Sequence, residues 1–165
     1  MPARRVTVSE THTEMTWIVM PGQANALGTV FGGQIMAWVD VCAAVSAQRF
    51  ARGPVVTAAM DSLSFLAPIQ KGQIVVVRSQ VNWAGRTSME VGARVECEDP
   101  LTGALTHTSS AYLTFVALDA HGKPLPVPEL VPETEEQARR FREAISRRES
   151  RLEAKARLLA ARGEA

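Results

Sequence analysis

The sequence predicts an α+β fold in which a curved antiparallel sheet wraps around one long central helix, with a further helix at the C-terminus. Three observations carry this. The stretch Ile35 to Val45 (IMAWVDVCAAV) is apolar at almost every angle, the mark of a helix enclosed by other structure. Behind it come four segments rich in β-branched and aromatic residues, separated by short turn sequences, which suit an antiparallel sheet more than a helical bundle. At Glu133 the composition changes abruptly into a charged helical pattern. At 165 residues and 46% hydrophobic content the chain can fill one core and is too short to expect two.

Taken in order, residues 1–10 read as a tail, and Val6 to Val19 alternate loosely enough for one frayed strand, ended by Pro21-Gly22. The core domain is expected over residues 11–118. A glycine-punctuated loop leads into the central helix, which Gly53-Pro54 stops. Strands are predicted at Val55 to Leu66, Gln73 to Trp83, Thr87 to Glu98 and Ala104 to Leu118. In the third of these, Met89, Val91, Ala93, Val95 and Cys97 point one way and Ser88, Glu90, Arg94 and Glu96 the other, as in a strand with one face in water. Residues 119–132 include four prolines between Gly122 and Pro132 and read as an extended surface linker outside the sheet. Residues 133–165 form an amphipathic helix with acids in its first turn and Phe141, Ile145, Leu152 and Leu159 on one narrow face expected to pack down.

Charge and composition narrow the functional classes. The net charge of +1 gives no nucleic-acid footprint, and no apolar run approaches the ~20 residues that span a bilayer, so neither nucleic acid nor membrane is expected as a partner. The first residues lack a secretory pattern, and the expected location is the cytoplasm. Cys42 and Cys97 lie outside any metal-ligand or redox spacing and read as small buried hydrophobes; neither a metal nor a cofactor is implied. There is no G-x-S-x-G elbow, no phosphate-binding glycine signature, and none of His12, His107 or His121 sits beside an acid or cysteine pattern.

What remains is one acid in the central helix, Asp40, which low dielectric makes a candidate base or nucleophile. Gly28, Gly32 and Gly33 precede it, and the helix start near Gly33 offers unpaired N–H groups at a positive dipole end. With Asn25 to orient water or substrate, these groups suffice for water attack on an activated carbonyl such as a thioester. Thr57 and the turn residues Arg86, Thr87 and Ser88 are candidates for orienting substrate or holding phosphates, although the turn reads equally as a plain hairpin. Nine of the 18 basic residues fall in the last helix. They form a solvated face laced by i,i+4 pairs, or some of Arg147, Arg148, Arg151, Lys155 and Arg157 meet a polyphosphate. Asp61 reads as a structural hydrogen-bonding acid.

The run NALGTVFGGQIMAWVD (Asn25 to Asp40), followed by VVTAAMDSLSFLAPIQKGQ and then GRTSMEV, resembles the acyl-CoA hydrolases of the hotdog fold, in the branch holding the cytosolic brain-type enzyme and small bacterial relatives. The resemblance covers about Met15 to Phe115, and the proline-rich linker with its terminal helix also looks like that branch. It implies an acyl-CoA substrate, homodimers joined edge to edge through their sheets, and a hexamer built as a trimer of dimers. It also places Asn25 as catalytic asparagine and Asp40 as catalytic acid, from opposite subunits; the Gly32 and Gly33 amides at the helix start, read from the residues themselves, then serve as the oxyanion site. Arg86, Thr87, Ser88, Arg148 and Arg151 become candidates for coenzyme A phosphates. The sequence departs at Phe31, where some relatives carry His, and at Thr29, where others carry Asp or Asn. A non-catalytic acyl-CoA sensor on the same scaffold is the alternative. Hydration of an acyl thioester would need a His/acid pair that this chain lacks.

Overall fold

A computed structural model describes residues 4–163. Its strands and helices run β1 (Arg5–Thr7), β2 (Thr13–Ile18), α1 (Gly32–Ala51), β3 (Val55–Phe65), β4 (Ile74–Ala84), β5 (Ser88–Glu98), β6 (Leu105–Ala117), β7 (Glu129–Val131) and α2 (Glu135–Arg162). Five strands form the main sheet in the order β2-β4-β5-β6-β3, every pair antiparallel. Residues on its inner side, such as Val77, Val91, Leu113 and Phe115, are buried against α1, as the alternating pattern requires.

The rotation of α1 on the sheet is fixed by more than apolar contact. Cys42 and Ser46 face a buried hydroxyl group: Ser46 Oγ lies 2.8 Å from Ser79 Oγ and 3.0 Å from Thr13 Oγ1, and Cys42 Sγ lies 3.3 Å from Ser79 Oγ. Trp38 stacks on Trp17 of β2 with ring centroids 5.4 Å apart. Directional contacts of this kind permit one helix register where a greasy surface alone would tolerate several.

Three expectations need correcting. The single N-terminal strand is two, β1 and β2, separated by a 3₁₀ turn at Ser9–Thr11. β1 pairs in parallel with β7, so part of residues 119–132 does form a strand, in a separate two-stranded ribbon. The reason is burial: Val6, Val8 and Leu130 join the core. Third, α2 does not lay its apolar stripe on the sheet. Phe141 packs against the core, but Ile145 and Leu152 are 36% and 47% exposed. The helix instead turns Ala144, Arg147 and Arg151 to the outer face of the sheet, where Glu90 and Asp61 wait. Glu90, expected in water, is 2% exposed, and a carboxylate at that depth demands a cation.

Candidate active site

Asp40 sits on the side of α1 nearest β3, half-buried, and its Oδ1 accepts a 2.7 Å hydrogen bond from Thr57 Oγ1. Thr57 is brought there by its register with Phe115, a buried inner-face residue of β6, so that it points toward the helix. The second carboxylate oxygen is left for water or substrate.

Around the acid, α1 is not enclosed as the sequence suggested. Met36 and Val41, which flank Asp40, are 43% and 51% exposed. Among the described residues no strand lies beyond β3 in the main sheet. An apolar stripe beside a sheet edge is the kind of surface through which proteins associate.

Asn25 lies in a closed loop. Its Oδ1 accepts from the N–H of Leu27 at 2.9 Å and of Thr29 at 3.2 Å, and its Nδ2 donates to Thr29 Oγ1 at 2.8 Å. The loop turns at Gly28, whose φ of +77° a side chain would strain, and is tied to the following chain by Val30 N–H to Ile69 carbonyl at 2.8 Å and Lys71 N–H to Gly28 carbonyl at 2.9 Å. One N–H of the Asn25 amide remains uncommitted, since the group carries two. Thr29, noted in the sequence only as a departure from relatives, fixes the rotamer of the candidate asparagine.

The helix begins at Gly32 with Phe31 as N-cap, and among the described residues no acceptor meets the N–H groups of Gly32 and Gly33. A Cβ on Gly32 would lie 3.2 Å from the Phe65 ring, so the bare glycine lets that ring close on the start of the helix. Eight residues separate Gly32 from Asp40, which at 1.5 Å per residue is about 12 Å along the axis. A single carbonyl cannot be attacked beside Asp40 while its oxygen is held by amides that far away in the same chain.

Of the remaining candidates, Arg86, Thr87 and Ser88 form the β4–β5 hairpin turn, closed by Gly85 N–H to Ser88 carbonyl at 2.8 Å. The Arg148 guanidinium stands 5.3 Å over the Trp83 ring, and that ring packs on Gly85, so the structure brings Arg148 to the same turn. Arg151 is placed elsewhere, ion-paired to Asp61 behind the sheet. Arg147 donates to both oxygens of Glu90, at 3.1 and 2.7 Å, and its guanidinium lies 3.7 Å over the Tyr112 ring. Burial works to depress the Arg147 guanidinium, but hydrogen bonds and charge from Glu90 hold it above its usual value. Surface i,i+4 pairs Arg139–Glu143, Arg140–Glu136 and Arg157–Glu153 account for other basic residues of α2. Burial raises the thiol pKa of Cys42 and of Cys97. Among the described residues no cluster of three or more His, Cys, Asp or Glu could hold a metal, and no helix is long and apolar enough to cross a membrane.

Known proteins share this architecture. The model of the thioesterase superfamily matches residues 27–104. YkhA of Bacillus subtilis, named an uncharacterized acyl-CoA thioester hydrolase, is 44% identical over 81% of this chain and 77% of its own. An apo-hexameric acyl-CoA thioesterase superposes with a TM-score of 0.89 at 40% identity, covering 93% of this chain and 98% of that one. The acyl-CoA hydrolase of Staphylococcus aureus, solved with butyryl coenzyme A and coenzyme A, gives 0.87 at 36% identity over 97% and 96%. Alanine variants of one aspartate, one asparagine and one threonine of the S. aureus enzyme have also been solved. The chain therefore belongs to the thioesterase superfamily, among its acyl-CoA hydrolases.

Proposed function

We propose that this protein hydrolyses acyl-CoA to a free carboxylic acid and coenzyme A, with the Asp40 carboxylate driving the attack. The observation that carries the reading is the half-buried Asp40 held at 2.7 Å by Thr57 on an otherwise apolar helix. Either Asp40 takes a proton from water as water adds to the thioester carbon, or its oxygen adds directly and water then releases it. In both routes the C–S bond breaks and coenzyme A leaves as the thiol. Thr57 orients the carboxylate, the free N–H of Asn25 orients water or the thioester, and the Gly32 and Gly33 amides receive the oxyanion.

The site is composite: Asp40 and Thr57 of one protomer face Asn25, Gly32 and Gly33 of a second. The ~12 Å along α1 between Gly32 and Asp40 of one chain supports this, as do the apolar stripe around Asp40 and the open edge at β3. In the S. aureus enzyme the asparagine, aspartate and threonine replaced by alanine follow one another at spacings of 15 and 17 residues, the spacings of Asn25, Asp40 and Thr57 here. Dimers of this kind assemble as a hexamer, in line with the hexameric thioesterase of the same fold. Arg148 and the Arg86-Thr87-Ser88 turn hold the coenzyme A phosphates, a cation beside hydroxyls and backbone amides. Two buried, unpaired cysteines suit a reducing cytoplasm.

Release of free thiol from butyryl-CoA tests the reading. Asp40→Asn keeps the shape and removes the charge; it should stay folded and lose at least 10²-fold in kcat. Turnover equal to the parent's would remove Asp40 from the chemistry, and tight acyl-CoA binding by the parent without thiol release would favour the sensor alternative.

A further inference from the structure

Thr57, Asp61 and Phe65 are spaced four apart on β3, and in a regular strand all three would point to one face. They do not. Between Thr57 and Ala59 the strand advances two residues while its partner β6 advances one, and between Asp61 and Ser64 it advances three against two. Each bulge reverses the alternation. Thr57 pairs with buried Phe115 and points inward to Asp40; Asp61 pairs with Tyr112 and points outward; Phe65 pairs with buried Ser109 and points inward again, onto Gly32. Ser62, inside the second bulge, has φ +34°, a conformation that side chains rarely adopt and that lasts only where its surroundings hold it.

Among the described residues of one chain this twice-bulged segment pairs with β6 alone. A shift of one residue in its register on β6 would turn Thr57 away from the helix. On the outer face Asp61 is ion-paired with Arg151 of α2, both side chains 26% exposed. The neighbouring Arg147 ties the same helix to Glu90 and Tyr112 on the two strands further in.

We propose that Arg151 is a positioning residue of the hydrolytic site: through Asp61 it pins the segment between the bulges from behind, holding Thr57 on Asp40 and Phe65 on the helix start. This rests on the reading of Asp40 and Thr57 as site residues. It gives the C-terminal helix a part in turnover without contact with the reacting atoms, and it makes Arg151 a brace for β3 where the sequence suggested a phosphate ligand.

The test compares full-length Arg151→Met, which keeps the stem and loses the charge, with Asp61→Asn and with the exchanged pair Asp61→Arg/Arg151→Asp. Each is assayed for kcat and KM on butyryl-CoA and for hydrogen exchange over residues 55–65. Both single changes should lower kcat about tenfold, leave KM within about twofold, and speed exchange over that segment. The exchanged pair should recover most of both. Arg151→Lys, which keeps the charge without the planar fork, should fall between, and it serves if the methionine variant does not fold. Parental kcat in Arg151→Met alongside an inactive Asp40→Asn overturns the brace and leaves the catalytic reading standing. A fall in kcat with unchanged exchange, or with no recovery in the exchanged pair, also overturns it. An active Asp40→Asn removes the catalytic reading itself, and the brace with it.

Discussion

Replacing Arg147 with alanine strips the cation from a carboxylate that cannot reach water. Glu90 is 2% exposed, its oxygens take 3.1 and 2.7 Å hydrogen bonds from Arg147, and its other side-chain contact is Asn82 Nδ2 at 3.4 Å. Leaving a buried charge without its partner costs about 3–5 kcal/mol. For a chain of this size each kcal/mol moves the thermal midpoint by about 2–4 °C, so Arg147→Ala should melt about 6–20 °C below the parent. Because assembly contributes to apparent stability, both proteins are melted at the same concentrations and the difference should persist across them. The companion variant separates the pair's own worth from the cost of orphaning Glu90. In Glu90→Leu/Arg147→Met both charges go, and stability should return to within about 1–2 kcal/mol of the parent, because apolar replacements of similar volume commonly match a buried ion pair. A loss below about 1 kcal/mol in Arg147→Ala would refute the reasoning, since Glu90 would then have found another partner or water. A double variant as unstable as the single one would refute it too.

Other outcomes follow from the same geometry. Thr57→Val keeps the shape and removes the 2.7 Å hydrogen bond to Asp40; kcat should fall by about 10-fold or more with little change in stability, read by thiol release beside thermal melts. Gly92→Ala would drive a Cβ into Asn82 Nδ2, itself on Glu90, and should cost about 1–3 kcal/mol in denaturant unfolding. The side-chain and backbone hydrogen bonds from Ser9 hold the Glu133 carboxyl below its ordinary value of 4.5. A depressed carboxyl stabilises above its unfolded pKa and loses that contribution as pH falls through the folded one. Protection of the Ser9 amide, 2.9 Å from Glu133, should therefore persist at neutral pH and fade below about 4.5, read by hydrogen exchange. Cys42 and Cys97, buried and with raised thiol pKa, should stay unlabelled by a chromogenic disulfide until the chain unfolds, so the thiol-release assay carries no protein background.

The order of helix and strands was legible because each β segment is rich in β-branched and aromatic residues and ends in a turn sequence, and because the apolar stretch around Asp40 shows no period-two alternation. Asp40, Asn25 and the two glycines stood out because acids, amides and paired glycines are out of place in or before a buried helix. The two bulges of β3 were not legible. One extra residue leaves composition untouched and changes only which face the next side chain meets, so the opposed directions of Thr57 and Asp61 needed coordinates. Glu90 looked like an outward residue of a half-wetted strand because its cation, Arg147, stands 57 positions later in a helix whose orientation was read from its apolar residues. Ion pairing with buried Glu90 and half-buried Asp61, and not the stripe of Ile145 and Leu152, sets that orientation. The helix α1 read as enclosed on all sides because Met36 and Val41 are as apolar as its buried residues, yet within one chain both are exposed.

Subunit complementation tests the composite site most directly. Asp40→Asn and Asn25→Ala, each inactive alone, are unfolded together at equal concentration and refolded. If Asp40 of one protomer works with Asn25 of the other, half of the random dimers are mixed and each mixed dimer carries one intact site, so about a quarter of parental kcat should return. If both residues serve within one chain no intact site can form, and a mixture as inactive as its two components would contradict the shared site.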